Sequence, residues 1–216
     1  MRPQMPFLVF AIAAILFASS LLSSAINENP VPAFGRDTVL VWRIQSQDFV
    51  YSFVVRIAEF SPNRFVEWED EKTQGTIFMP SSDIQGAKGY ISSNLFESGM
   101  DTKGRNATTL WLSRQIFRDL KEKRKIKIDL DGVRSVSEYK GDDSLTVEVN
   151  RSFSSLPVIK VMDDRGSERW FLDQEENPLM VKHTIRHFSQ TLASITTDRP
   201  NTLRWIKGSK LSNPSH

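Results

Sequence analysis

The sequence predicts a mainly β protein: a curved antiparallel sheet, half-barrel or barrel-like, with one amphipathic helix packed on it. Two observations indicate this class. Apolar residues alternate with period two over most of the chain, and short polar turns separate the alternating runs. These runs do not alternate with helices, so a parallel α/β sheet is not expected.

The chain divides into four predicted segments. Residues 1–25 have an early arginine, an apolar stretch and small residues before the expected cleavage point, a pattern typical of a signal peptide. Residues 26–35 form a connector, residues 36–200 a single β-rich domain and residues 201–216 a flexible tail. We therefore expect an exported protein, periplasmic or extracellular. The alternative is an uncleaved N-terminal helix that anchors it, since a membrane span needs about 20 apolar residues and this stretch is of that length.

The composition excludes several classes of function. The chain has no cysteine, which excludes disulfides, thiol catalysis and zinc sites with cysteine ligands. Lysine and arginine total 28 against 26 acids, a formal net charge of +2. That balance does not indicate a nucleic-acid partner, and none is expected.

The first predicted strands form a meander. Residues 38–44 and 49–57 alternate on either side of a polar turn, and residues 64–71 and 76–79 follow after further breaks. Residues 80–109 are irregular and rich in glycine and serine. Because this interval is long for a bare loop, we expect short helices or a flap within it.

One segment has helical spacing. Its apolar residues recur every fourth position, at Leu112, Ile116 and Leu120. Thr109 or Ser113 can cap its amino end, and the pattern ends near Lys123.

The alternating pattern then resumes to the end of the domain. Asp131-Gly132 is typical of a hairpin turn, and a second turn is predicted at residues 140–143. The predicted strands are residues 126–130, 133–139, 145–150, 156–162, 168–172, 179–188 and 190–196.

One segment resembles a known family. The hairpin of residues 158–163 and 168–173, with Trp170-Phe171-Leu172-Asp173, is followed by Asn177-Pro178-Leu179-Met180-Val181-Lys182. This order of strand, turn and strand with a central tryptophan and a later proline resembles the bacterial envelope half-barrels of the LolA and LolB lipoprotein-carrier type. The resemblance implies a curved sheet around an apolar groove, lidded by helices, and assigns no individual residue a role.

In a half-barrel, one face of the helix would close over the concave side of the sheet. The candidate apolar-groove residues on and beside this helix are Trp111, Leu112, Ile116 and Phe117. The leading functional hypothesis is therefore the non-catalytic binding of an apolar or amphipathic ligand such as a lipid, held by burial.

The same helix is strongly basic. The candidate contacts to an anionic membrane surface or polyanion are Arg114, Arg118, Lys121, Arg124 and Lys125. We favour the alternative interpretation, in which the apolar stripe packs on the sheet and the cations are its solvated side, balanced by the acids at 67–71.

No catalytic or metal-ligating residues are assigned. His183 and His187 are four apart, but the flanking alternation favours a strand, where this spacing corresponds to about 13 Å. A metal site is therefore not favoured, and no cofactor is expected. The chain also has no nucleophile elbow, phosphate loop or dinucleotide motif.

The alternatives to ligand binding are a structural or protein-interaction module of the cell envelope that uses exposed strand edges, and an unrecognised hydrolase.

Overall fold

The computed structural model describes residues 31–47, 49–93, 96 and 99–197. The predicted signal peptide, the first part of the connector and the predicted tail lie outside the described residues. The strands are β1 (Val39–Gln45), β2 (Val50–Glu59), β3 (Arg64–Glu69), β4 (Gln74–Met79), β5 (Gly89–Ile91), β6 (Met100–Asp101), β7 (Ala107–Thr109), β8 (Lys125–Leu130), β9 (Val133–Val149), β10 (Ser152–Asp163), β11 (Glu168–Leu172), β12 (Met180–Ile185) and β13 (Phe188–Thr196). The helices are α1 (Ser81–Gly86) and α2 (Arg114–Lys123).

All strands of the described part belong to one curved sheet, in the order β6-β4-β3-β2-β1-β13-β12-β11-β10-β9-β8-β5-β7. Neighbours from β3 through β13 to β8 pair antiparallel, and the short strands near the two edges pair parallel. Residues 194–195 of β13 also pair, in parallel, with residues 148–149 of β9. This extra pairing joins β9 to β13 into a ring, so the sheet is partly barrel-like. The predicted fold class is confirmed.

The turn predicted at residues 140–143 is wrong. β9 runs through this segment without a break, and the register with β10 shifts by one residue opposite Lys160, leaving Lys140 as the extra residue. The backbone of Gly141 has φ +129, which glycine tolerates. The polar Gly-Asp-Asp sequence therefore makes a bulge in a long strand, because pairing with β10 on both sides of it outweighs turn propensity.

The bounds predicted for the strand over residues 179–188 are also wrong. β12 ends at Ile185, and Arg186 adopts a left-handed conformation with φ 47. The chain reverses there and enters β13 at Phe188, two residues before the predicted start of the last strand.

α2 begins and ends as the sequence predicts. The Ser113 hydroxyl accepts a hydrogen bond of 3.1 Å from the backbone N–H of Ile116, which caps the first turn. Arg124 follows the last turn in a left-handed conformation, and its N–H donates to the carbonyl of Leu120. α1 lies in the irregular interval, where short helices were expected. Neither described helix is long and apolar enough to span a membrane.

Two apolar clusters hold the sheet. The first core is built mainly from β1 to β4, β10, β12 and β13 and includes Leu40, Trp42, Ile57, Leu156 and Leu192. The helix core lies under α2, where Leu112, Ile116, Phe117 and Leu120 pack on Ile128, Ile159 and Phe171. The segment that leads into α2 passes from one core to the other, and the candidate site lies along it.

Candidate anion-binding site

The backbone before α2 is fixed against the start of β12. Leu110 accepts a hydrogen bond of 2.6 Å from the N–H of Met180, and Trp111 forms an isolated bridge with Leu179. Leu110 has φ 59, a conformation that costs a non-glycine residue about 1 kcal/mol or more. The indole N–H of Trp111 donates to Asn177 Oδ1 at 2.8 Å. The tryptophan ring is thus held in one position.

Arg64 stacks between two aromatic rings in this region. It is the first residue of β3, where Arg64, Val66 and Trp68 all face the interior, and it is only 2% exposed. Its Cζ lies 4.6 Å from the centroid of Phe60 and 4.7 Å from the centroid of Trp111. Desolvated cation–π contacts of this kind contribute about 2 kcal/mol each.

The guanidinium of Arg64 has no carboxylate partner among the described residues. Its Nη2 donates to the backbone carbonyl of Glu176 at 3.0 Å, and its Nε and Nη1 have no partner in the described chain. Burial and the neighbouring Arg114 lower the pKa of Arg64 to about 9, with Glu176 opposing this shift. A buried cation without a counter-ion costs several kcal/mol, so this arrangement disfavours folding.

A second guanidinium completes the site. Arg114 is the first residue of α2, its side chain pairs with the carboxylate of Glu176, and its Nε is buried without a partner in the described chain. The amino end of a helix also carries a partial positive charge. The site therefore combines two guanidinium groups, one carboxylate and three unpartnered nitrogen atoms. This chemistry is suited to binding an anionic group.

The four predicted groove residues are all buried by the chain itself, each at most 5% exposed. Trp111 belongs to the first core, and the other three, Leu112, Ile116 and Phe117, belong to the helix core. Trp111 also lies against Arg64, so one of the four contributes to the candidate site.

The five predicted anionic-surface contacts all have partners within the chain. The contacts are Arg114 with Glu176, Arg118 with Glu175 at 3.0 Å, Lys121 with Asp173 at 3.0 Å, Arg124 over the ring of Tyr139 at 4.2 Å, and Lys125 with Glu138 at 3.8 Å. Three of these acids belong to the loop between β11 and β12. The expectation that the acids at 67–71 balance the helix is wrong, because the partners of these five side chains lie elsewhere and Glu67 pairs with Arg56.

A second buried polar cluster lies at the turn between β10 and β11. A hydrogen bond of 2.8 Å joins Ser167 Oγ and His183 Nε2, while the Asp163 carboxylate accepts from Arg169 Nη1 at 2.8 Å. Burial and the nearby Arg169 lower the pKa of His183 to about 3, against the opposing charge of Asp163. Ser167 is buried, and no hydrogen bond joins a described carboxylate to the imidazole. The serine and histidine thus lack the base strength, the orienting acid and the exposure that nucleophilic catalysis requires.

No described residues form a metal site. His183 lies in β12, whereas His187 lies exposed in the turn that comes after it. No group of three or more histidine, aspartate or glutamate side chains in the described part of the chain is placed to hold a metal ion.

Three members of the site were missed by the sequence analysis: Phe60, Arg64 and Glu176. A signal was present for one of them. The alternation of Arg64, Val66 and Trp68 places the arginine on the apolar face of a strand, where an unpaired charge is unusual. Phe60 and Glu176 had no such signal: Phe60 lies in the short connection between β2 and β3, and Glu176 reaches the site through the packing of a loop distant in sequence.

Comparisons of the chain with protein-family models, with curated proteins and with solved structures gave no match.

Proposed function

We propose that this is a non-catalytic binding protein, acting in the cell envelope after export, whose ligand is amphipathic and carries an anionic group. The observation that carries the proposal is the buried, uncompensated guanidinium of Arg64 between the rings of Phe60 and Trp111. A residue that disfavours folding and presents unpaired donors is typical of a binding site, where stability is given up for function.

The surroundings of Arg64 support an amphipathic ligand. The two rings on either side of the guanidinium are apolar; Trp111 belongs to the first core and Phe60 packs against it. The export part of the proposal rests on the N-terminal sequence pattern alone.

The alternatives receive less support. A hydrolase would need an accessible nucleophile, and Ser167 is buried with a weakly basic histidine. An interaction module that adds a strand at a sheet edge would need a long edge, whereas the terminal strands β6 and β7 are only two and three residues long.

The test is native mass spectrometry of the full chain purified from an exporting host, followed by organic extraction and negative-ion analysis. We expect a stoichiometric anionic molecule in the wild type and its loss in Arg64→Gln. The matched control is Arg56→Gln, because Arg56 is paired with both Asp37 and Glu67 and carries no unpaired charge.

Thermal unfolding of each variant separates loss of the ligand from loss of the fold. Arg64→Gln should melt close to the wild type, since it removes a buried unpaired charge together with two cation–π contacts. Equal ligand content in the wild type and in Arg64→Gln would contradict the proposal. So would a wild type that is free of ligand and unchanged after incubation with fatty acids and envelope lipids.

A further inference from the structure

The charge balance of the Arg64 site constrains its ligand, provided that the proposed function holds. Arg64 and Arg114 bring two positive charges, and Glu176 brings one negative charge through its pair with Arg114. One positive charge therefore remains unneutralised by the described residues. We propose that the anionic group of the ligand is a monovalent carboxylate and that Glu176 sets this preference.

The unpartnered donors fit such a group. Arg64 offers Nε and Nη1, and Arg114 offers Nε. These three nitrogen atoms carry four N–H groups, and a carboxylate has two oxygens with about four lone-pair positions, so the numbers of donors and acceptors match. Its planar shape also matches the planar guanidinium better than a point charge does.

The same balance disfavours a divalent group. A phosphate monoester with two negative charges would neutralise the remaining positive charge and leave a second negative charge beside the Glu176 carboxylate. Like charges placed together in a binding site reduce affinity and so discriminate between ligands. Glu176 thus limits the charge that the site accepts.

Glu176 is also the solvent-exposed member of the site. Its side chain is 66% exposed, whereas that of Arg114 is 26% exposed and Arg64 is covered. This exposure leaves the Glu176 carboxylate accessible to an incoming charged group.

The test is isothermal titration of the full chain at pH 8 with octanoate and with octyl phosphate, which share one apolar body. At this pH octanoate is monovalent, octyl phosphate is mostly divalent, and Arg64 remains protonated because its pKa is about 9. We expect the wild type to bind octanoate more tightly by about tenfold or more, as one unit of like charge near the protein surface can impose.

Glu176→Gln should abolish or reverse this preference, because it raises the charge of the site to two. The matched control is Glu175→Gln. Glu175 pairs with Arg118 instead of Arg114, so this variant should keep the wild-type preference. Equal melting temperatures show that both variants fold alike.

Two outcomes overturn the inference while leaving the proposed function intact: equal affinity of the wild type for both probes, or an unchanged preference in Glu176→Gln. Binding of neither probe by the wild type or by Glu176→Gln, together with the absence of any co-purifying anion, would overturn both proposals.

Discussion

Between pH 7 and pH 5 the protein should lose stability through a single buried imidazole. His183 is hydrogen-bonded to Ser167 inside the protein, and burial lowers its pKa to about 3 from an ordinary value of 6.5. Between these two values the unfolded chain binds a proton that the folded protein does not. The free energy of unfolding therefore falls as the pH falls through this window. The stability that the protein has with a neutral His183 is fully present only above pH 6.5.

The size of the effect can be worked out from the two pKa values. Each pH unit inside the window changes the free energy of unfolding by about 1.4 kcal/mol, so the loss should reach about 2 kcal/mol at pH 5. At pH 3 the limit is about 5 kcal/mol. The range from pH 7 to pH 5 covers the upper part of this window and lies above the ordinary pKa values of carboxyl groups, about 4, so it is the most informative.

The assay is urea unfolding at pH 7, 6 and 5 for the wild type and for His183→Gln, which removes the titrating ring and can retain a hydrogen bond to Ser167. The difference between the two proteins isolates His183 from every other titrating group. The wild type should lose about 2 kcal/mol relative to the variant over this range. Parallel pH dependences would show that His183 is protonated in the folded protein, which would refute the argument from burial.

Three further predictions concern α2. Phe117→Ala should lower the free energy of unfolding by about 3–5 kcal/mol, because the ring is buried in the helix core, and a change below about 1 kcal/mol in urea unfolding would show that the ring is not part of a packed core. Ser113→Ala should cost about 1–2 kcal/mol through the lost cap on Ile116, and an unchanged midpoint of thermal unfolding would contradict the cap. Arg118→Ala should change stability by less than about 1 kcal/mol, since its pair with Glu175 is exposed, and a larger loss in urea unfolding would indicate a stronger contact.

The sequence predicted those parts of the fold that local patterns determine. The alternation of apolar residues located most strands, and the spacing from Leu112 to Leu120 with a serine before it located α2. Both patterns involve only residues that are close in sequence, so they can be recognised without knowing how the rest of the chain folds. The bulge at Lys140 was mistaken for a turn because its cause lies in the pairing of β9 with β10, which the local sequence does not show.

The candidate site was predicted only in part for the same reason. Trp111 and Arg114 stood out because they lie just before and at the first turn of a recognisable amphipathic helix. Arg64 and Glu176 come from β3 and from the loop after β11, and the curvature of the sheet brings them to the same place. Pairing of the helix cations was expected, but their partners were misassigned, since charge alone does not reveal which acids are near in space.

The position of β13 in the middle of the sheet constrains how the nascent chain folds. β1 is among the first described segments to leave the ribosome, yet every residue of it pairs with β13, the last of the described strands. β12 and the end of β9 also pair with β13, so they lack this partner until it has been synthesised. A chain that stops before Phe188 therefore leaves three strands with open edges, which favours aggregation. Contacts between such distant segments also slow folding, and the sheet cannot close until β13 has been synthesised.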